Sequence, residues 1–331
     1  MAPRVSAPAL TATKPQGFIL RYLPCLRSMI VKAVLKARIM PPREEVTTSP
    51  AKLGIEFKDV DIMSTDGVRL SAWEIVVPGS TKLIIVNHPL MCTRAGVTKG
   101  LDMVSVDYMP MYKILVDAGY SVITYDQRAQ GLSDGGIGKT RIGPKDVPCG
   151  VGATEWQDFV GVLRYVDNHP TLAKASIGVY GQCMGANAVM LAAVKAPSDF
   201  AKVRCMVAMQ PTLSLKMMSR MTKIKVGADI AMEVDDISDK EYGIRAVDSA
   251  TNVKSVTVPI MFVQMRGDVY TEDEWGSDSQ TLFESCPSSE KEMLWLGPKE
   301  AKGFGSCKRF ESYEYFNTHP EDLLQFYAKH M

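Results

Sequence analysis

The residue best placed to do chemistry is Cys183, which lies in the segment GQCMG at 181–185. An apolar run at 176–180 precedes it and predicts a buried strand, whereas the alanine-rich residues 186–194 predict a helix. A nucleophile at such a tight strand-to-helix turn has a strained backbone, so its neighbours must lack bulk. The helix that begins there directs backbone N–H groups and a positive dipole end at the sulfur, which favours a thiolate.

The elements that must position this turn alternate between strands and helices. Further helices are predicted at 109–118, 154–168 and 320–329. Strands are predicted at 55–63, 68–76, 82–87, 121–125, 176–180, 203–209, 258–264 and 292–296. Such alternation predicts an α/β protein with a mostly parallel sheet and helices on both faces.

The alternation stops at 212–257, which is too long for an ordinary connection. This stretch carries Met217, Met218, Met221 and Met232 among charged residues. Methionine side chains suit an adaptable apolar pocket, so we predict a small helical cap over the site. The alternative is a peripheral insertion whose methionines fill gaps in the core.

The N-terminal segment differs from the predicted core, which spans 50–211 and 258–331. Residues 1–16 are small and proline-rich, which predicts disorder. Residues 17–49 predict an amphipathic helical extension with a basic face, and their charges exclude a membrane span. We expect this helix to pack on the core or on a partner in a homodimer; an interfacial membrane helix and an organelle-targeting sequence are alternatives.

Composition excludes several classes of protein. The 331 residues carry 38 basic and 37 acidic side chains, so nothing indicates a nucleic-acid partner. Seven cysteines at scattered spacing, without a CxxC pair, predict reduced thiols in a cytoplasmic compartment. Four histidines without a HExxH motif argue against a metal site, and no cofactor is expected.

Four separate segments together resemble the α/β-hydrolase superfamily over about residues 50–331. The first is the GQCMG turn, which matches the nucleophile elbow of that superfamily with sulfur in place of the usual serine oxygen. The others are YDQRAQGLS at 125–133, VQMRGD at 263–268 and FNTHPE at 316–321. The second resembles the superfamily's YDxRGxGxS segment, with Ala129 in place of the first glycine. The resemblance implies an eight-stranded α/β-hydrolase fold.

The superfamily's order of nucleophile, acid and histidine implies a triad of Cys183, Asp268 and His319. The imidazole of His319 would accept the thiol proton, and Asp268 would orient and stabilise the imidazolium. Asp273 and Glu274 are alternative acids, but Asp268 follows its strand more closely.

The resemblance also implies an oxyanion hole. One donor would be the backbone N–H of Met184, and the other would come from the loop that begins His88-Pro89. Proline has no N–H, so Leu90 is the better second donor and Met91 the next choice. His88 is expected to buttress this loop rather than to react.

A sulfur nucleophile in this fold resembles dienelactone hydrolase and some acyl-transferring members of the superfamily. That resemblance implies hydrolysis of a small-molecule ester, thioester or lactone through an acyl group on Cys183. The alternative is an acyltransferase or lactonising cyclase with the same triad, as in polyketide or other secondary metabolism. A non-catalytic binding protein that kept the fold is a third hypothesis, and the intact Cys, Asp and His speak against it.

Overall fold

An eight-stranded sheet forms the centre of the protein. This computed structural model describes residues 24–97, 105–214, 216–218, 220, 228–273, 276–297 and 312–331. The sheet strands are β1 (Lys58–Met63), β2 (Arg69–Ile75), β3 (Lys82–Asn87), β4 (Ser121–Tyr125), β5 (Ser176–Gln182), β6 (Val203–Met209), β7 (Ile260–Met265) and β8 (Lys291–Leu296). Two pairs of two-residue strands lie outside it: Gly96–Val97 with Val106–Asp107, and Glu272–Asp273 with Gly276–Ser277.

The strand order across the sheet is β1-β2-β4-β3-β5-β6-β7-β8. β2 runs antiparallel to β1 and β4, and all other neighbours are parallel. Gly67 has a φ of 81° in the turn between β1 and β2, a conformation that glycine adopts without strain. All eight predicted strands are present, and the predicted mostly parallel sheet with helices on both faces is confirmed.

Helices cover both faces of the sheet. The helices among the described residues, some of which pack away from the sheet, are α1 (Pro24–Ile39), α2 (Met109–Asp117), α3 (Trp156–Asp167), α4 (Met184–Lys195), α5 (Pro197–Phe200), α6 (Ala228–Tyr242), α7 (Ser249–Asn252), α8 (Asp278–Ser285), α9 (Tyr315–Thr318) and α10 (Pro320–His330). Short 3-10 helices lie at Pro50–Leu53, Gly138–Thr140 and Val253–Ser255. The four helices predicted in the core correspond to α2, α3, α4 and α10.

Two hydrophobic cores follow from this layering. On one face, Phe159 of α3 and Val189 of α4 pack with the sheet. On the other face, Tyr112 of α2 and Tyr327 of α10 belong to a core that also contains Cys183. The strands between the two cores are apolar on both sides, which explains why they read as continuous apolar runs.

The N-terminal helix α1 packs against α6. Val31 and Leu35 share an apolar cluster with Ile230 of α6, and a buried ion pair joins Arg38 to Asp235 at 2.9 Å. The predicted disorder at 1–16 concerns residues outside the described ranges. Within those ranges, no helix has the length and apolar character needed to cross a bilayer.

The segment predicted as a cap, 212–257, contains α6, α7 and helical residues between 214 and 220. Met217 and Met218 are buried, whereas Met232 is exposed to solvent and Met221 lies outside the described residues. The buried pair fits a packing role, and covering of a site by this segment remains a prediction.

Candidate active site

Cys183 occupies the turn between β5 and α4. Its backbone has φ 47° and ψ −111°, in the left-handed region that residues other than glycine rarely adopt. Its N–H donates to the carbonyl oxygen of Met209 at 2.8 Å, which ties the turn to the end of β6. The side chain is 5% exposed and lies at the positive end of α4. The turn thus holds a buried thiol in a strained, fixed position.

Both glycines of the turn are required by close backbone contacts. A Cβ atom at Gly181 would lie 2.8 Å from Cα of Ala186, and one at Gly185 would lie 2.5 Å from the carbonyl oxygen of Asn87. Backbone atoms cannot move aside cheaply at such distances. The turn therefore packs against the end of β3, which begins the loop predicted to hold an oxyanion donor.

Leu90 and Met184 meet beside this turn. They share one apolar cluster with Ala129, Cys149 and Val151. Among the described residues, no hydrogen bond occupies the backbone N–H of either Leu90 or Met184. The N–H of Met91, in contrast, donates to Oε1 of Gln130 at 2.6 Å. This geometry favours Leu90 over Met91 as a donor.

The ring of His88 stabilises this loop through two hydrogen bonds. Its Nε2 accepts the backbone N–H of Gln127 at 3.0 Å, and its Nδ1 donates to the carbonyl oxygen of Pro89 at 2.7 Å. Burial lowers the pKa of His88, which keeps the ring neutral. With both ring nitrogens bonded, His88 is a structural residue.

The segment at 125–133 also stabilises the loop that follows β3. Asp126 accepts from the backbone N–H of Arg94 at 2.8 Å and forms a buried ion pair with its guanidinium. A Cβ atom at Gly131 would lie 2.2 Å from Cγ of Asp126, so this position needs glycine. Ala129, which replaces the superfamily's other glycine, has a φ of 62°. The substitution thus places an L side chain in strained backbone.

Asp268 is fully buried in the loop that follows β7. Its Oδ1 accepts the N–H of Tyr270 at 3.1 Å, and its Oδ2 accepts the hydroxyl of Thr271 at 2.9 Å. Since β5 and β7 are both parallel to β6, Asp268 follows its strand at the same edge of the sheet as Cys183. The alternative acid Asp273 is paired with Arg220 at 2.9 Å, and Glu274 lies outside the described residues.

Arg220 joins the segment 212–257 to the loop of Asp268. Its Nη1 donates to Oδ1 of Asp278 at 2.8 Å and to the carbonyl oxygen of Tyr270 at 3.3 Å. Asp278 also accepts the backbone N–H of Leu213 at 2.9 Å. Burial raises the pKa of Asp278 to about 6, so the contact with Arg220 is charge-assisted at neutral pH.

His319 lies at the surface between α9 and α10. Its ring stacks on Tyr315 with centroids 4.4 Å apart. Its Nδ1 is 2.9 Å from Oγ1 of Thr318 and 3.3 Å from the carbonyl oxygen of Tyr315. No contact among the described residues joins His319 to Cys183 or Asp268. The structure therefore places Leu90 against the cluster of Met184, the residue after Cys183, whereas no contact among the described residues connects His319 with them.

The remaining two histidines are engaged elsewhere. Nε2 of His169 lies 3.0 Å from a carboxylate oxygen of Glu74, and Nδ1 of His330 lies 3.6 Å from one of Glu290. Glu74 belongs to β2, which is remote from β5 in the sheet order. Neither histidine replaces His319 as a partner of Cys183 in the described contacts.

Two supporting residues are not evident from the sequence. Gln130 holds Met91 but stands at a variable position of the YDxRGxGxS pattern. Glu155 is fully buried and accepts the N–H groups of Gly150 and Gly152, each at 2.7 Å. Nothing in the sequence signals Glu155, because the glycines that bind it form no recognisable motif.

Cys149, beside Glu155, provides a contrast with Cys183. Its sulfur lies 3.6 Å from Oε1 of Glu155, and burial raises its pKa well above the usual value for a thiol. Cys149 thus remains a neutral thiol although it packs against Met184.

No cluster of three or more histidine, cysteine or acidic side chains that could hold a metal ion occurs among the described residues.

The comparisons with known proteins agree with this architecture. Residues 144–271, which include Cys183 and Asp268, match the prolyl oligopeptidase family, and no curated protein matches the chain. The esterase Pf2001 of Pyrococcus furiosus aligns with a TM-score of 0.63 and 23% identity, over 89% of this chain and 98% of the esterase.

Two further solved structures are similar. The α/β hydrolase GrgF of Penicillium sp. sh18 has a TM-score of 0.53 and 16% identity, over 84% of this chain and 99% of GrgF. Acetyl xylan esterase 1 of Thermoanaerobacterium sp. JW/SL YS485 has a TM-score of 0.52 and 15% identity, over 91% of this chain and 93% of the esterase. Together with the sheet order, these likenesses show that the chain has the α/β-hydrolase fold.

Proposed function

We propose that this protein is an acyl hydrolase that captures the acyl group of an ester, thioester or lactone on Cys183. The observation that carries the proposal is the strained backbone of Cys183, a buried thiol at the positive end of α4. Leu90, from the predicted oxyanion loop, packs against a cluster that contains the next residue, Met184. The names of two similar structures, both esterases, support ester chemistry.

The proposed reaction has two halves. The thiolate of Cys183 attacks the acyl carbon, and the N–H groups of Leu90 and Met184 donate to the oxygen that becomes negative. Such a donor contributes about 100-fold to 1,000-fold in rate. Collapse of the intermediate expels the alcohol or thiol and leaves a thioester on Cys183. Water then attacks that thioester and releases the acid.

Proton transfer is assigned to His319, with Asp268 orienting its ring. This assignment rests on the order of the residues in the chain, since the described contacts join His319 to neither partner. For Asp268 to orient the ring through Nδ1, that nitrogen must exchange its contacts with Thr318 and with the carbonyl oxygen of Tyr315. The role proposed for His319 therefore requires a change in the contacts of its ring.

An acyltransferase or lactonising cyclase is the second candidate function. The favouring observation is that Cys183 is 5% exposed and lies in an apolar core, where water is scarce. A thioester is readily attacked by an amine, a thiol or an alcohol of the same substrate, as in the polyketide chemistry of secondary metabolism. The six described cysteines form no disulfide with one another, which fits a cytoplasmic location.

Mass spectrometry tests the proposal directly. The full-length protein is mixed with p-nitrophenyl esters, N-acetylcysteamine thioesters and lactones, quenched in acid and digested. An acyl adduct is expected on the peptide that contains Cys183 and not on the exposed Cys25. The Cys183→Ala variant is the control, and a Cys25→Ser variant should retain the adduct.

The acceptor is identified in the same samples. Free acid indicates hydrolysis, whereas an amide, a new ester or a ring-closed product indicates transfer. If no acyl donor is turned over, and iodoacetamide labels Cys183 no faster than Cys25, the protein is a binding protein and the proposal fails.

A further inference from the structure

The helix α1 has a second, outward face that the fold leaves exposed. Its inward residues pack on α6, but Leu26, Met29, Ala33 and Ala37 are exposed, with Met29 at 68%. Their spacing of three, four and four residues places them in one stripe along the helix. The fold thus leaves the apolar side chains of Leu26 and Met29 exposed along one stripe of the helix.

The cations of α1 divide between its two faces. Arg27 is bound to Asp229 and Glu233 of α6, and Arg38 is bound to Asp235. Lys32 and Lys36 are exposed beside the apolar stripe, and no ion pair among the described residues involves them. The inner cations thus fix the helix to the protein, and the outer lysines remain available to an anionic partner.

The distribution of charge along the chain also favours an anionic partner for α1. The first 43 residues contain eight basic side chains and no acidic one. The remaining residues carry 30 basic against 37 acidic side chains. The protein therefore combines an acidic body with a basic N-terminal segment, of which α1 is the described part.

We propose that the outward face of α1 docks on a membrane surface that contains anionic phospholipids. The lysines would reach the phosphate groups while Met29 and Leu26 enter the boundary of the acyl chains. Pairing of this face with the same face of a second copy is disfavoured by charge. A two-fold interface brings the same patch of both copies together, so Lys32 and Lys36 would meet lysines. This inference does not depend on the reaction proposed for Cys183.

Vesicle binding by the full-length protein tests the inference. Partition is measured by flotation with phosphatidylcholine vesicles, alone or with about 30% phosphatidylserine. We expect at least about tenfold stronger partition to the anionic vesicles, and loss of the difference in about 0.5 M salt. Equal binding to both kinds of vesicle, or no binding to either, would overturn the proposal.

Matched variants locate the contact. Lys32→Glu/Lys36→Glu and, separately, Met29→Glu should each lower the partition about tenfold. The control is Lys174→Glu/Lys195→Glu, which makes the same charge change at exposed sites away from α1 and should have no effect. Unchanged partition of the α1 variants would overturn the proposal. So would a dimer that Met29→Glu dissociates in a protein that does not bind vesicles.

The exposed Cys25 at the start of α1 provides a second readout. An environment-sensitive fluorophore on this thiol should shift to shorter wavelength with anionic vesicles, and Cys25→Ser gives the background from other thiols. A fluorophore that remains in water while the protein floats with vesicles would place the contact elsewhere and overturn the proposal.

Discussion

The turn at Cys183 and the segment at His319 are held in the protein very differently. The turn is fixed by a hydrogen bond from Cys183 to Met209 and by two glycines that contact backbone. His319 lies at the surface, where a stack on Tyr315 and local hydrogen bonds are its described contacts. The position of the sulfur is thus part of the core, whereas the position of the imidazole is set by a short surface segment. The surroundings of Cys183 therefore support its proposed role more directly than those of His319 support a role as base.

The largest effect is expected for Cys183→Ala. If Cys183 is the nucleophile, removal of its sulfur removes the attacking atom, so kcat should fall at least about 1,000-fold while the variant remains folded. Hydrolysis of the best acyl donor from the adduct screen is the measurement. Full activity of the variant would mean that the strained turn serves another purpose.

His319→Ala tests the role proposed for the imidazole at the surface. If His319 is the base, kcat should fall about 100-fold, and the double change with Asp268→Asn should cost little more, because residues of one triad act as a unit. His330→Ala, also near the C-terminus, is the control and should retain activity. An unchanged rate in His319→Ala would remove His319 from the mechanism and leave the role of Cys183 intact.

Tyr315→Leu tests whether the stack on Tyr315 restrains the ring of His319. This change removes the ring on which the imidazole stacks, so it should raise kcat by up to about tenfold if His319 must leave Tyr315 before it reacts. The measurement is kcat for the same acyl donor in the Tyr315→Leu background with and without His319→Ala. A rise that persists without His319 would contradict the explanation.

Gly185→Ala measures how firmly the turn is held. The added Cβ would lie 2.5 Å from the backbone of Asn87, so we expect a loss of about 2 kcal/mol in the free energy of unfolding. Gly243→Ala is the matched control: its φ is 66° but nothing lies within 4 Å, so conformational strain alone should cost about 1 kcal/mol. Chemical denaturation of both variants gives the comparison. Equal losses would show that the turn tolerates bulk.

The two regions also differ in what the sequence could predict. The elbow was predictable because its glycines, strand and helix are contiguous, and local geometry dictates those residue types. The alternation of apolar strands with helical segments was sufficient to predict the sheet. The place of His319 was not predictable, since it depends on how α9 and α10 pack after β8. Gln130 and Arg220 were missed because their partners, Met91 and Asp278, are distant in sequence.

Gln130→Met gives the smallest expected effect and tests how the predicted oxyanion loop is held in place. The change keeps the volume of the side chain but removes the acceptor for the N–H of Met91, which leaves that donor unpaired. We expect a loss of about 1 kcal/mol in stability and about a fivefold fall in kcat with KM nearly unchanged, because a looser loop positions Leu90 less well. Steady-state kinetics and thermal unfolding of the same variant separate the two effects. Lower stability with unchanged kcat would mean that Leu90 is held without Met91, and that the loop belongs to the rigid part of the molecule together with Cys183.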